Sequence, residues 1–166
     1  IGLEIEVEFG HMYKNQPLFG DIDSFMTKKG FILFDLRRYF WKRKDSNSAG
    51  IQKGQLVFGD ALYFKTPEAI LNIPNITEEK VTRAICIYLT YGYIDLSQVL
   101  LDKSSSIGLL SKTTIQYIDD IIAKSKQESF FYFFKNNKIS NLLKRMSIFF
   151  DKGSDYSGTD DAVGNK

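Results

Sequence analysis

The chain reads as an α/β fold in which a strand–helix–strand unit and an antiparallel hairpin are followed by an α-helical tail. Three observations carry that reading. Residues 2–9 alternate apolar and acidic side chains with period two. Residues 31–41 and 55–65 are runs rich in aromatic and other strand-forming residues, separated by a polar stretch. After Pro67 the apolar spacing changes to three and four, the period of a helix.

Taken in order, Leu3, Ile5, Val7 and Phe9 point one way along the first strand, and Glu4, Glu6 and Glu8 the other. Such a strand is half-buried, or its acidic face lines a site. Gly10 ends it, and residues 14–20, with Pro17, form a loop. Asp21 or Asp23 caps a short helix whose Ile22, Phe25 and Met26 face inward. Gly30 closes that helix behind the basic pair Lys28 and Lys29. Residues 31–41 are the second strand, so strand, helix and strand make a βαβ unit with a right-handed crossover. Residues 42–54 are a polar loop, and residues 55–65 return antiparallel until Pro67 ends them. A strand this apolar at the start of the chain reads as the continuation of a sheet begun upstream.

The helical part begins at Thr77, an N-cap ahead of Glu78 and Glu79. Val81, Ala84, Ile85, Tyr88 and Leu89 form its apolar stripe, and Gly92 stops it. A second short helix is expected over 95–101, then a serine-rich loop over 103–108. Ser111 precedes a third, with Ile115, Ile118 and Ile122 aligned. A fourth is expected over 128–135 and a fifth over 140–150. The division is therefore a partial α/β unit at 1–66, a helical region at 67–150, and a Gly-, Ser- and Asp-rich tail at 151–166 expected to be disordered.

Composition narrows the function classes. A net charge of +2 gives no argument for nucleic acid. A single Cys excludes an internal disulfide and a Cys-based metal cluster, and a single His excludes a multi-His site. Cys86, on the helical stripe, reads as an inert buried thiol. No apolar run approaches the roughly 20 residues that span a bilayer. The expectation is a cytoplasmic protein with neither a membrane nor a nucleic-acid partner.

Several ordered blocks carry a resemblance: EVEF, Tyr13, QPLF, an acidic short helix ending in GF, LFDLRRYFW and GQLVFGDALYF. Over residues 3–65 the chain resembles the C-terminal half of FkbM-family S-adenosylmethionine-dependent methyltransferases. The resemblance implies a class I methyltransferase (Rossmann-like) sheet, with these blocks as its fifth, sixth and seventh strands and the seventh inserted antiparallel between the other two. It implies a parent that uses S-adenosylmethionine to methylate a hydroxyl, on a sugar or a polyketide-like acceptor. Cofactor binding in that fold uses a glycine-rich loop after the first strand and an acidic residue ending the second. Neither is present, so the chain is expected to bind no cofactor by itself, and its first partner is the missing N-terminal half. Where family members often carry Gly before QPLF, this chain has Asn15, which tolerates left-handed backbone angles.

Candidate substrate-binding residues cluster after the first strand: Glu8 at its carboxyl end, the lone His11 as a base, and Tyr13 and Gln16 in the loop bordering the acceptor pocket. Each has a plainer reading. The glutamates could be a salt-bridged face opposite Arg37 and Arg38, and His11 a surface residue. Tyr13 could pack under the loop and Gln16 pair with backbone. Catalytic residues stay unassigned, and no metal site is expected. Arg37, Arg38, Lys42, Arg43 and Lys44 interleave with Tyr39, Phe40 and Trp41, which reads as a strand end entering a solvated loop rather than a nucleic-acid surface. Asp60 reads as structural, and residues 130–134 as core or a partner-facing patch. The alternative to an enzyme fragment is a non-catalytic binding or oligomerisation module. In it the uncovered edge of the first strand pairs with a second copy as a homo-oligomer, and aromatic-rich helices supply cover or interface.

Overall fold

The computed structural model describes residues 1–41, 54–136 and 157–159, with side chains over 1–41 and 54–126. It is a mixed α/β structure. The elements run β1 (Gly2–Glu8), α1 (Phe19–Lys28), β2 (Ile32–Trp41), β3 (Gln55–Phe64), α2 (Pro67–Leu71), α3 (Glu78–Thr90), α4 (Ile94–Ser106), α5 (Lys112–Asn136) and the three-residue β4 (Ser157–Thr159). The sheet order is β1-β3-β2-β4, and every neighbouring pair is antiparallel. Because β1 and β2 are both antiparallel to β3, they run parallel to each other with β3 between them. Their carboxyl ends therefore lie at one edge of the sheet.

The period-two pattern of β1 sorts two cores. Directly opposed residues share a face, so Ile5 and Val7 join Ala61, Tyr63 and Leu36 on the side covered by α1. Val7, Met26, Ala61 and Tyr63 are buried there. Leu3, expected inward, is 41% exposed at the end of this face. On the other face Leu62 and Phe64 enter a larger core built from α2 to α5. Phe34, Tyr88, Tyr91 and Tyr93 surround the Phe64 ring at centroid distances of 5.3–5.6 Å for the direct pairs. Five of the chain's 24 aromatic residues meet here, in edge-on contacts that suit the ring quadrupoles. The helical region thus shares its core with the sheet.

Several elements differ from expectation for local reasons. Helix α1 starts earlier than an Asp cap requires. Leu18 is its N-cap, and Asp21 at the third helical position accepts from the Leu18 amide at 3.0 Å. Asp23 instead accepts from the Tyr63 hydroxyl at 3.1 Å. Met26 is buried, but Phe25, expected inward, is 57% exposed under the Lys29 ammonium. Gly30 does close the helix, with φ at 77° and Phe31 N–H donating to Met26 C=O. Helix α2 was not expected. Thr66 caps it by accepting from the Ala69 amide, and Pro67 occupies its first turn, where no N–H is needed.

The serine-rich loop expected over 103–108 is mostly the last turn of α4. Ser104, Ser105 and Ser106 donate their hydroxyls back to the carbonyls of Leu100, Leu101 and Lys103, which satisfies them within the helix. The third and fourth expected helices are one continuous α5, capped by Ser111, which accepts from the Thr114 amide. The fifth, over 140–150, lies outside the described residues. Of the tail expected to be disordered, residues 157–159 form β4 against Tyr39 to Trp41, and the rest lies outside the described residues. Cys86, expected buried, is exposed, because it sits on the rim of the α3 stripe rather than in it.

Candidate functional site

The sheet face that carries the β1 glutamates can be read as rows across β1, β3 and β2. Glu4, Leu62 and Asp35 form one row, Glu6, Asp60 and Arg37 the next, and Glu8, Phe58 and Tyr39 the last, at the carboxyl edge. Helices cover the opposite end of this face through Leu62 and Phe64. Apart from Leu62, the three rows carry charged and aromatic side chains.

Asp60 is the hub of the middle row. It accepts from Arg37 Nε at 2.9 Å and from Arg37 Nη2, and from the Tyr39 hydroxyl at 2.9 Å. Its bonds go to side chains on β2 rather than to a turn or backbone. The Asp60 bond holds the Arg37 guanidinium still more firmly protonated than usual. Arg37 also lies 3.9 Å from Glu4, a loose and partly exposed contact of small energetic weight. Glu4 accepts from the Tyr91 hydroxyl at 2.9 Å, and that bond, with burial, raises the Tyr91 phenol. Tyr91 follows α3, so this bond ties the helical region to the acidic row. Sequence reading missed it, because nothing local marks a tyrosine 87 residues away as a partner.

The aromatic pair in the last row is closely stacked. Tyr39 stacks on Phe58 at 4.5 Å, 5° from parallel, and Trp41 meets Phe58 edge-on. Arg37 lies over Tyr39 at 5.5 Å. Arg38 points to the other face, near Phe40. The two arginines therefore do not form one basic patch, while Lys42, Arg43 and Lys44 lie outside the described residues.

The loop between β1 and α1 carries the other candidates. Gln16 closes it, its Oε1 accepting from the amides of Met12 at 3.3 Å and Tyr13 at 3.2 Å. This is the backbone-pairing role. Asn15 sits at φ 61°, the left-handed turn expected of it. Tyr13 is 70% exposed and does not pack under the loop. His11 is exposed, and Glu8 is half-buried at the strand end. Glu8, His11, Tyr13 and Gln16 thus share one sheet edge and one loop. No hydrogen bond joins the Glu8, His11 and Tyr13 side chains among the described residues. Chemically, the edge offers a carboxylate and an imidazole to accept protons, and an exposed ring for stacking.

A concavity of about 340 Å³ lies between α3 and α5, lined by Thr82, Ile85, Cys86, Tyr117, Ile118 and Ile121 among others. Thr82 Oγ1 is buried there without a hydrogen-bond partner. No sheet residue lines it. Among the described residues no group of three His, Cys, Asp or Glu could hold a metal ion. None of their helices is long and apolar enough to cross a membrane.

Comparison of the chain with protein-family models, with curated proteins and with solved structures finds no match.

Proposed function

We propose that this chain is the acceptor-side part of an FkbM-like, S-adenosylmethionine-dependent methyltransferase. The observation that supports the reading best is the strand order. Two parallel strands joined through a helix, with the next strand inserted antiparallel between them, are the arrangement that the resemblance over residues 3–65 implies for the end of a class I methyltransferase sheet. Open α/β sheets bind ligands outside the carboxyl ends of their parallel strands. That is where Glu8, His11, Tyr13 and Gln16 lie.

In this reading Glu8 and His11 accept hydrogen bonds from a hydroxyl-bearing acceptor, a sugar or a polyketide-like molecule. Tyr13 covers one of its faces, and Gln16 holds the loop in shape. S-adenosylmethionine, bound by the parent, supplies the methyl group. The residues of this chain do not fit that cofactor. The one strand-to-helix loop that precedes α1 has the Met12 and Tyr13 amides occupied by Gln16, and it is not glycine-rich. An exposed thiol at Cys86 suits a reducing, cytoplasmic setting.

Calorimetry with S-adenosylmethionine tests the reading. The 166-residue chain alone is expected to give no binding heat, and the chain extended upstream to a strand followed by a glycine-rich loop is expected to bind. Binding by the shorter chain overturns the claim that it lacks a cofactor site. No binding by either overturns the methyltransferase reading. A second reading, a non-catalytic binding module, is favoured by the regular edge of β1, which has no strand neighbour among the described residues.

A further inference from the structure

The two parallel strands of the sheet end together on one face. Glu8 is the last residue of β1 and Trp41 the last of β2, and both project on the side of the charged rows. Phe58 on β3 stands between them, opposite Glu8. With β3 in the middle, the two backbones lie about 10 Å apart. A six-membered ring with its substituents fits within such a span. Open α/β sheets bind their ligands outside these strand ends.

The Trp41 ring is both open and held. It is 44% exposed, and Phe58 meets it edge-on at 6.2 Å. Phe58 is in turn stacked on Tyr39, whose hydroxyl donates to Asp60. The register of β2 with β3 shifts between Tyr39 and Phe40, which leaves Val57 as an extra residue on β3. Irregularities of this kind re-aim side chains beside functional sites. An exposed ring fixed in advance loses little freedom when a ligand covers it.

Charge and shape select the ligand. By register, Glu4, Glu6, Glu8, Asp35 and Asp60 share this face with one guanidinium, Arg37, which already donates to Asp60. A phosphate or a uronic acid meets like charge here. An aliphatic, polyketide-like chain would strip water from these carboxylates and offer few donors in return. A quaternary ammonium needs a cage of rings, whereas Tyr39 and Phe58 are stacked on each other and form none. A neutral pyranose answers both demands. The C–H groups on one face of its ring pack on the indole, and its hydroxyls donate to Glu8.

We propose that the acceptor taken at this edge is a neutral pyranose, stacked on Trp41 and bonded through its hydroxyls to Glu8. That this sugar is a methyl acceptor rests on the methyltransferase reading; that it binds rests on Trp41, Phe58 and Glu8. Trp41, on β2, thereby joins the residues of the β1–α1 loop as a determinant of which acceptor is taken.

Trp41 is the only tryptophan in the chain, so its fluorescence reports this place alone. The 166-residue chain is titrated with methyl β-D-glucopyranoside and, separately, with its galacto and manno epimers. At least one is expected to shift the emission and saturate. The matching uronic acid glycoside, the same ring with a carboxylate, is expected to bind at least about tenfold more weakly. An aliphatic 1,3-diol, the polyketide-like probe, is expected to leave the emission unchanged. Glu8→Gln keeps the side-chain shape and is expected to weaken the best glycoside about tenfold. Trp41→Leu and Trp41→Phe are read by saturation transfer to the glycoside C–H signals. The leucine variant is expected to lose the transfer and the phenylalanine variant to keep part of it, with the thermal melt of each unchanged. No response to any of the three glycosides overturns the proposal, as does a uronic acid that binds equally well or a diol that binds better. Failure here leaves the methyltransferase reading to the S-adenosylmethionine calorimetry, and failure there leaves the sugar site standing, so the two are told apart.

Discussion

At the scale of single residues, the sheet face is governed by few side chains. Asp60 has a side chain only 17% exposed and accepts three hydrogen bonds. Asp60→Ala leaves Arg37 and Tyr39 without that acceptor and is expected to cost about 1–3 kcal/mol, measured by urea unfolding. Gly59 has no room for a methyl group. A Cβ there would lie 2.7 Å from the Arg37 carbonyl oxygen and 3.1 Å from Leu36 Cδ1. Gly59→Ala should therefore destabilise by about 1–3 kcal/mol, with β2 forced away from β3. The first of these roles was half legible. Asp60 read as structural in the sequence, but its partners come from the opposite strand, and only the register names them. Cys86 shows the reverse error. Its spacing put it near an apolar stripe, yet a helix stripe has rims, and a rim residue faces solvent. One thiol is expected to react with a disulfide reagent in the native state, counted by absorbance.

At the scale of elements, local rules explain both the successes and the misses. The α3 start was readable because Thr77 and the acidic first turn act locally, and Thr77 accepts from the Lys80 amide at 3.4 Å. The α4 end was not, because serine serves loops and helices alike. The outcome depends on whether its hydroxyl finds a carbonyl one turn back. Ser104 is buried and its hydroxyl donates to Leu100 C=O, so Ser104→Ala removes the donor, leaves that carbonyl its i→i−4 helical N–H partner, and gains helix propensity. Its unfolding midpoint should stay near that of the unmodified chain. Ser104→Leu should lower it through overpacking. Between elements, Glu78 at the start of α3 accepts from the Ser111 amide and the Thr114 hydroxyl at the start of α5. Those bonds hold its carboxyl below the usual carboxylate value of 4.5. A depressed folded value means that stability is present above about pH 4.5 and is lost as the pH falls through the folded value. Thermal melts across that range should show an acid loss that Glu78→Gln reduces.

For the molecule as a whole, the shared core decides what folds. Leu62, Phe64 and Phe34 from the sheet pack with Ile70, Tyr88, Leu100 and Ile122 from the helices. Residues 68–150 expressed alone lack those sheet residues. They should show no cooperative melt by circular dichroism, since large apolar surfaces would lose their cover. The sequence by itself determined the strands, the hairpin, the first strand's two-faced pattern and the change to helical period. Those follow from spacing and from short-range caps, which act over a few residues. The resemblance over residues 3–65 also implied a last strand inserted between the other two, which is the order β1-β3-β2 of the sheet. Tertiary structure alone decided that Asp60 gathers Arg37 and Tyr39, and that Tyr91 reaches Glu4. Each of these depends on the phase and register of contacts between residues far apart in the chain, and a period-two pattern is the same whichever neighbour a strand takes.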